Sequence, residues 1–261
     1  AHMAHAPMEP PVALANVTEA GVEIWAPLQS PYGARQMIAG ALELEIDAVT
    51  VHTTLLGGGF GRKSKCDYAI EAALLSRAVG APVRVQWTRE DDIQHGFLHA
   101  EAVDHLEASV DADGKVTGLL HRVVAPTIGS TFGPDSGYQL PFENGMGFLD
   151  NPFDLAALRC ENGPAMAHAR IGWWRSVNNV PRAFAVQSFV GELAHELGRD
   201  QKELLLELIG PARQLDPNAI GVAPLADWEV EAFGLTESPL WNYGEPLGSY
   251  PIDTGRLANV L

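Results

Sequence analysis

Four glycines in five positions, Gly57, Gly58, Gly59 and Gly61, are broken only by Phe60 and lead into Arg62-Lys63. These are the residues whose type and spacing point most directly to chemistry. So bare a stretch lets the backbone take positive φ and brings its N–H groups close to something flat or anionic. A plain tight turn needs one or two glycines. The stretch therefore reads as a ligand-facing loop, with packing or a turn as the competing reading. It fails both common nucleotide fingerprints. A phosphate loop needs glycine, lysine and Ser/Thr in direct succession, and Arg62 intervenes before Lys63-Ser64. A dinucleotide-binding turn would put its third glycine where Arg62 stands. What remains open to the loop is to present backbone donors to an oxyanion or a metal-bound oxygen.

Other candidates carry less. His2, His5 and Glu9 would make a metal site only if brought together, and Pro7 and Pro10 break any helical register that would align them. His195-Glu196 lacks the second histidine of a zinc-protease helix and reads as a solvated face. Arg89-Glu90-Asp91-Asp92 reads as a charged helix start favoured by the dipole, against paired carboxylates for acid–base work. In Trp173-Trp174-Arg175-Ser176 the two adjacent tryptophans cannot both enter one core, so one is free to line a pocket. No serine or cysteine sits in a nucleophile elbow. Cys66 and Cys160 are too few and too isolated for zinc or iron–sulfur ligation; they read as buried free thiols, with a single disulfide as the other reading.

Composition bounds the partners. The 17 basic against 33 acidic residues give a net charge of −16, which argues against nucleic acid or an anionic membrane. With 46% hydrophobic residues, 261 positions suffice for one large or two modest domains. No run approaches the ~18 apolar residues of a membrane span. Ala1-His2-Met3-Ala4-His5 lacks the apolar region of a signal peptide. The chain thus reads as cytoplasmic, as processed, or as cut from something longer.

The elements that must position the loop follow from periodicity. Val12 to Val17 and Val22 to Trp25 form a hairpin around Glu19-Ala20-Gly21. A helix runs from Pro31 to about Leu44, a strand ends at Leu55, a helix spans about Cys66 to Val79, and a strand covers Val83 to Trp87. Residues 12 to 87 read β-β-α-β-α-β. A second hairpin turns at Asp113-Gly114. Thr127 to about Asn151 shows no period, and a loop of that length is usually functional or covered by a partner. Phe153 to Cys160 is expected to be a strand. Val186, Val190, Leu193 and Leu197 mark the buried stripe of a helix opening near Pro181, and Asp200 with Glu203 caps a shorter one. Beyond Leu215 no element is legible.

Gln29, the run Leu56-Gly57-Gly58-Gly59-Phe60-Gly61-Arg62-Lys63, Asp67, and the run from Pro82 through Trp87 to Asp92 together resemble the molybdopterin-binding large subunit of the xanthine oxidase (molybdenum hydroxylase) superfamily. His5-Ala6-Pro7-Met8-Glu9-Pro10 and Gly172-Trp173-Trp174-Arg175-Ser176, with the helix from Phe184 to Gly198, resemble its isoquinoline 1-oxidoreductase β-subunit and aldehyde dehydrogenase branch. The resemblance implies an α+β fold, a two-layer mixed sheet with helices, of the first molybdenum-cofactor-binding domain type. Residues 1–214 would form that domain, half of a cofactor site, and 215–261 a loop-rich extension toward the second half. Gln29 would hydrogen-bond an oxygen ligand on molybdenum. The backbone at Gly58, Gly59, Phe60 and Gly61 would approach the metal and its pterin, Arg175 would place another group at the cofactor, and Trp174 would wall the substrate pocket.

The implied cofactor is molybdopterin cytosine dinucleotide, with a [2Fe-2S] small subunit relaying electrons. The missing C-terminal half and a cytochrome c subunit are further implied partners, and the branch favours a periplasmic or membrane-associated location over a cytoplasmic one. The implied reaction is hydroxylation or oxidation of aldehydes or N-heterocycles. The family's catalytic glutamate motif does not occur in this chain, so no residue here takes a catalytic or metal-ligating role. Arg62 replaces a glycine of the eukaryotic enzymes and Ser64 their substrate-binding glutamate, which argues against purines. The alternatives are a non-catalytic binding or assembly domain that kept the fold, and a nucleotide-phosphate enzyme using the same loop.

Overall fold

The computed structural model describes residues 2–133, 137–216 and 252–261, with positions 219, 230, 248 and 249. Its contacts divide into two compact units. The first is built around Ala1–His99 and His168–Arg175. Its elements run β1 (Val12–Thr18), β2 (Gly21–Ala26), α1 (Pro31–Leu42), β3 (Val49–Thr53), α2 (Asp67–Val79), β4 (Val83–Gln86) and α3 (Arg89–His95). This is the β-β-α-β-α-β order read from the sequence, followed by the short helix expected at the charged run. The sheet is ordered β3-β2-β1-β4, with β1 antiparallel to both β2 and β4 and β2 parallel to β3.

Alternation puts Ala13, Ala15, Val22, Ile24 and Ala26 on one face, where they meet the buried faces of α1 (Ala34, Ile38, Leu42) and α2 (Tyr68, Ala69, Ala72, Ala73). The small residues on α2 let that helix lie close to the strands. Pro31 opens α1, where its missing N–H costs nothing. Gly80, at φ +68°, closes α2 with a left-handed cap on Ser76. At the start of α3 the Thr88 and Asp91 side chains exchange hydrogen bonds with each other's backbone N–H, a full capping box.

The second unit is built around Ala100–Ala167, residues 176–216 and the C-terminal segment. It holds β5 (Val103–Val110), β6 (Val116–Val124), β7 (Ala157–Gly163), α4 (Asn179–Glu196), α5 (Gln201–Ile209), β8 (Gln214–Leu215), β9 (Ile252–Asp253) and α6 (Thr254–Val260). β5 and β6 are antiparallel, β6 and β7 parallel, and β8 pairs with β9. Val116 packs with Val190 and Ala194 of α4 and with Leu204, Leu205, Leu208 and Ile209 of α5. The fold is α+β with mixed sheets and helices, as expected.

Three readings shift. The strand expected from Phe153 begins only at Ala157, because Phe153 N–H bonds Asn151 Oδ1 at 3.0 Å and Asp154 N–H bonds Leu208 O at 2.6 Å. The buried row of α4 is Arg182, Val186, Val190 and Ala194, with Leu193 and Leu197 only half-buried. Beyond Leu215, where no element was legible, the described residues form β9 and α6, the latter capped by Asp253 accepting from Arg256 N–H. The remainder of that tail lies outside the described residues. Cys66 and Cys160 are both free thiols.

Candidate functional site

The glycine loop leaves the end of β3 and returns to α2 through a single 3-10 turn, Arg62–Ser64. Gln29, three residues beyond β2, holds it. Gln29 Oε1 accepts from Gly61 N–H at 2.9 Å and from Lys63 N–H at 3.2 Å, and Gln29 N–H donates to Lys63 O at 2.9 Å. A Cβ at Gly59 would collide with that same Oε1. On the other side, Gly61 sits at φ +96° and a Cβ there would lie 2.5 Å from Trp173 O. Two of the glycines are therefore demanded by close approach from opposite sides, so the packing reading holds for them. Gly57 and Phe60 remain exposed, and Phe60 itself takes positive φ at +50°.

The captured Oε1 fixes what Gln29 has left to offer. Its Nε2 has no hydrogen-bond partner among the described residues, and the residue is exposed. The site thus presents an amide donor beside a glycine backbone, suited to an acceptor oxygen.

Two cations behind the loop were not legible as structural. Arg62 and Lys63 have fully buried side chains. Arg62 makes two parallel bonds to Asp67, at 2.7 and 2.9 Å, and its guanidinium lies 5.1 Å from the Phe97 ring centre and 5.4 Å from that of Trp87. Lys63 Nζ bonds Glu9 Oε2 at 2.5 Å, and the same oxygen accepts from Gly57 N–H at 2.9 Å. Burial opposes ionisation of Glu9, but Lys63 and the Gly57 N–H outweigh it and hold the carboxyl below the usual glutamate range. Burial also lowers the Lys63 pKa, against the pull of Glu9. The pair is unequal because Glu9 keeps 31% of its side chain in water and Lys63 none. The one sequence signal was the Arg62-to-Asp67 spacing across a tight turn.

Trp173 and Trp174 diverge, as their adjacency requires. Trp173 O occupies the space that a Cβ on Gly61 would take, and it contacts the ring of His5. Trp174 is half-buried between the rings of His5, at 5.4 Å, and His99, at 5.5 Å. Arg175 is exposed, and no hydrogen bond or ion pair engages its guanidinium among the described residues. His5 is no metal ligand in this arrangement: its Nδ1 contacts Phe97 O at 2.6 Å and its Nε2 contacts Trp173 O. Among the described residues no group of three or more His, Cys, Asp or Glu side chains is placed to hold a metal ion. The fold thus brings Gln29, Gly59, Gly61 and the segment carrying Trp174 and Arg175 to one place. Glu9, Lys63 and His5 are the additions.

Residues 1–207 match the family described as the molybdopterin cofactor-binding domain. The chain is 30% identical over 235 residues to a membrane-bound aldehyde dehydrogenase [pyrroloquinoline-quinone] of Gluconacetobacter polyoxogenes, covering 85% of this chain and 30% of that protein. It is 28% identical over 250 residues to isoquinoline 1-oxidoreductase subunit beta of Brevundimonas diminuta, covering 91% of this chain and 32% of that one. The solved aldehyde oxidoreductase of Desulfovibrio gigas superposes with a TM-score of 0.71 at 21% identity, over 86% of this chain and 24% of that chain. The chain spans a third or less of the length of these proteins. A match over residues 1–207, a span that includes Gln29, the glycine loop and the tryptophan pair, on a fold shared with the solved Desulfovibrio gigas enzyme, places this chain in the molybdopterin cofactor-binding domain family.

Proposed function

We propose that the chain forms one wall of a molybdopterin site in an oxidoreductase that hydroxylates or oxidises aldehydes or N-heterocycles. The cofactor would be the cytosine dinucleotide form, and a [2Fe-2S] centre on a partner subunit would carry electrons away. When bound, the molybdenum group supplies the redox chemistry. The residues of this chain bind and orient.

The observation that carries the reading is the state of Gln29. Two backbone N–H groups hold its carbonyl end, so its amide Nε2 is committed to donating. Around it the loop has no side chain at Gly58, Gly59 and Gly61, and a Cβ at the latter two would strike protein. Gly59 and Gly61 are bare because protein fills those positions, so an acceptor oxygen would meet the Gln29 amide beside the exposed backbone at Gly57 and Phe60. Arg175, exposed and with no hydrogen bond or ion pair among the described residues, would add a cationic contact to the pterin's phosphate arm. Trp174 would form an apolar wall for a planar substrate. Proton transfer at the reacting carbon has no candidate among these residues.

The test is molybdenum and pterin content after co-expression with the C-terminal half of a relative's large subunit. Wild-type chain is expected to carry both. Gln29→Glu keeps the shape but replaces the free donor with an acceptor, and is expected to lower retention about tenfold, equivalent to about 1.4 kcal/mol. Wild-type chain that carries neither metal nor pterin would leave the binding-domain alternative in its place.

A further inference from the structure

We infer that the N-terminal arm, residues 5 to 9, is a positioning device for the glycine loop, acting through Glu9 on one side and His5 on the other. The inference deepens the reading above and rests on it only for the identity of the ligand.

At one wall, Glu9 Oε2 takes two bonds at once, from Lys63 Nζ at 2.5 Å and Gly57 N–H at 2.9 Å. Lys63 is also the residue to which Gln29 is tied twice, through Lys63 N–H and Lys63 O. One carboxylate therefore sets the first glycine of the loop and the anchor of the amide that reads the ligand. At the other wall, the His5 ring lies between Phe97 O and Trp173 O, and Trp173 O is the atom against which Gly61 rests. Between the two anchors, Arg89 Nη2 donates to Pro7 O at 2.5 Å and Met8 O at 3.2 Å, while Arg89 Nη1 holds Asp92 at 2.6 Å. The arm has no regular secondary structure over these residues, so these contacts define its path.

The residue choice also argues for positioning over packing. Filling space behind the loop calls for an apolar side chain. A lysine with no exposed side-chain surface, paired to a carboxylate, carries a desolvation cost that a well-packed apolar replacement avoids. What the pair adds is direction: two donors converging on one oxygen fix the loop's start relative to Gln29.

The test uses hydrogen exchange on the full chain. In the paired variant Glu9→Ala/Lys63→Met neither partner is left as an uncompensated buried charge, so the global unfolding midpoint is expected to stay near wild type. Amide exchange over residues 57–63 is expected to rise about tenfold or more, with strands β1 and β2 unaltered. Restoring only an acceptor, as Glu9→Gln/Lys63→Met, is expected to return protection at Gly57. His5→Phe keeps a ring against Trp174 but removes both nitrogens, and is expected to raise exchange over 171–175. Unchanged exchange at 57–63 in the paired variant would overturn the inference, as would a uniform rise across the first unit or failure of the glutamine to restore Gly57. Pterin content measured on the same samples separates the two readings. Faster exchange at 57–63 in samples of which even the wild type carries no pterin supports the arm's role and counts against the cofactor assignment instead.

Discussion

Gly59 and Glu9 mark the two ways in which single atoms hold this loop. At Gly59 the constraint is steric, because an added methyl strikes Gln29 Oε1 and comes within 3.1 Å of Lys63 Cβ. Gly59→Ala is expected to displace the Gln29 amide and to cost about 1–3 kcal/mol, the usual penalty of overpacking, read from urea unfolding midpoints. At Glu9 the constraint is ionic. Its folded pKa lies below the 4.5 of a free glutamate, so its contribution to stability is complete above that pH and is lost as pH falls through the folded value. Protection of the Gly57 amide, followed downward from pH 6 relative to its intrinsic exchange rate, is expected to fall below about pH 4.5 in wild type. A Glu9→Gln variant should show no such transition. Gln29 and the glycines were readable from composition and resemblance. The Glu9–Lys63 pair was not, because a separation of 54 positions leaves no local pattern.

The two larger sheets repeat one arrangement, a hairpin followed by a third strand parallel to its second. A parallel neighbour requires a crossover. In the first unit helix α1 provides it, between β2 and β3, and satisfies its own backbone. In the second unit the chain from 125 to 156 crosses from β6 to β7 with, among the described residues, no α-helix and two short 3-10 turns. Glu143, fully buried, takes over that task. Its oxygens accept from Thr127 Oγ1 at 2.6 Å, Leu140 N–H at 2.7 Å, Ile128 N–H at 3.0 Å and Asn178 Nδ2 at 3.2 Å. Arg182 adds bonds to Glu143 O at 2.6 Å and Met146 O at 3.0 Å.

The aperiodic stretch from Thr127 to Asn151 thus has an internal framework, which periodicity cannot reveal. Glu143→Gln would turn an NH2 toward at least one backbone N–H in either orientation, Leu140 or Ile128, and is expected to cost about 1–3 kcal/mol by urea unfolding, the penalty of an unsatisfied buried group. The misplaced start of β7 has a related cause. Phe153 and Leu155 alternate because both pack against the α4–α5 cluster, not because they lie in a strand. Alternation reports burial, and strand pairing is only one way to be buried.

At the scale of the whole molecule, charge burial among the described residues nearly balances. Arg62, Lys63 and Arg182 are sequestered there along with Asp92 and Glu143, so burial at these positions offsets little of the chain's net charge of −16. Self-repulsion then opposes the compact state. Raising salt from about 10 mM to about 150 mM, which shortens the screening length from about 30 Å to about 8 Å, is expected to raise the thermal unfolding midpoint, followed by circular dichroism. A fall would mean that the ion pairs named above outweigh the surface. The acidic balance was plain from composition. The inward placement of three cations was not, since nothing in a sequence says which charges a fold will enclose.

The arm around Met8 carries a practical liability. Met8 is 78% exposed, between His5 and Glu9 and next to the latter, on a segment with no ladder or helix to shield its peptide bonds. One proteolytic cut there would separate histidine from glutamate while leaving every strand of the sheet intact. Such nicked material would migrate and melt like native protein yet hold its ligand poorly, so batch-to-batch differences in loading should be checked first by intact mass at the amino end.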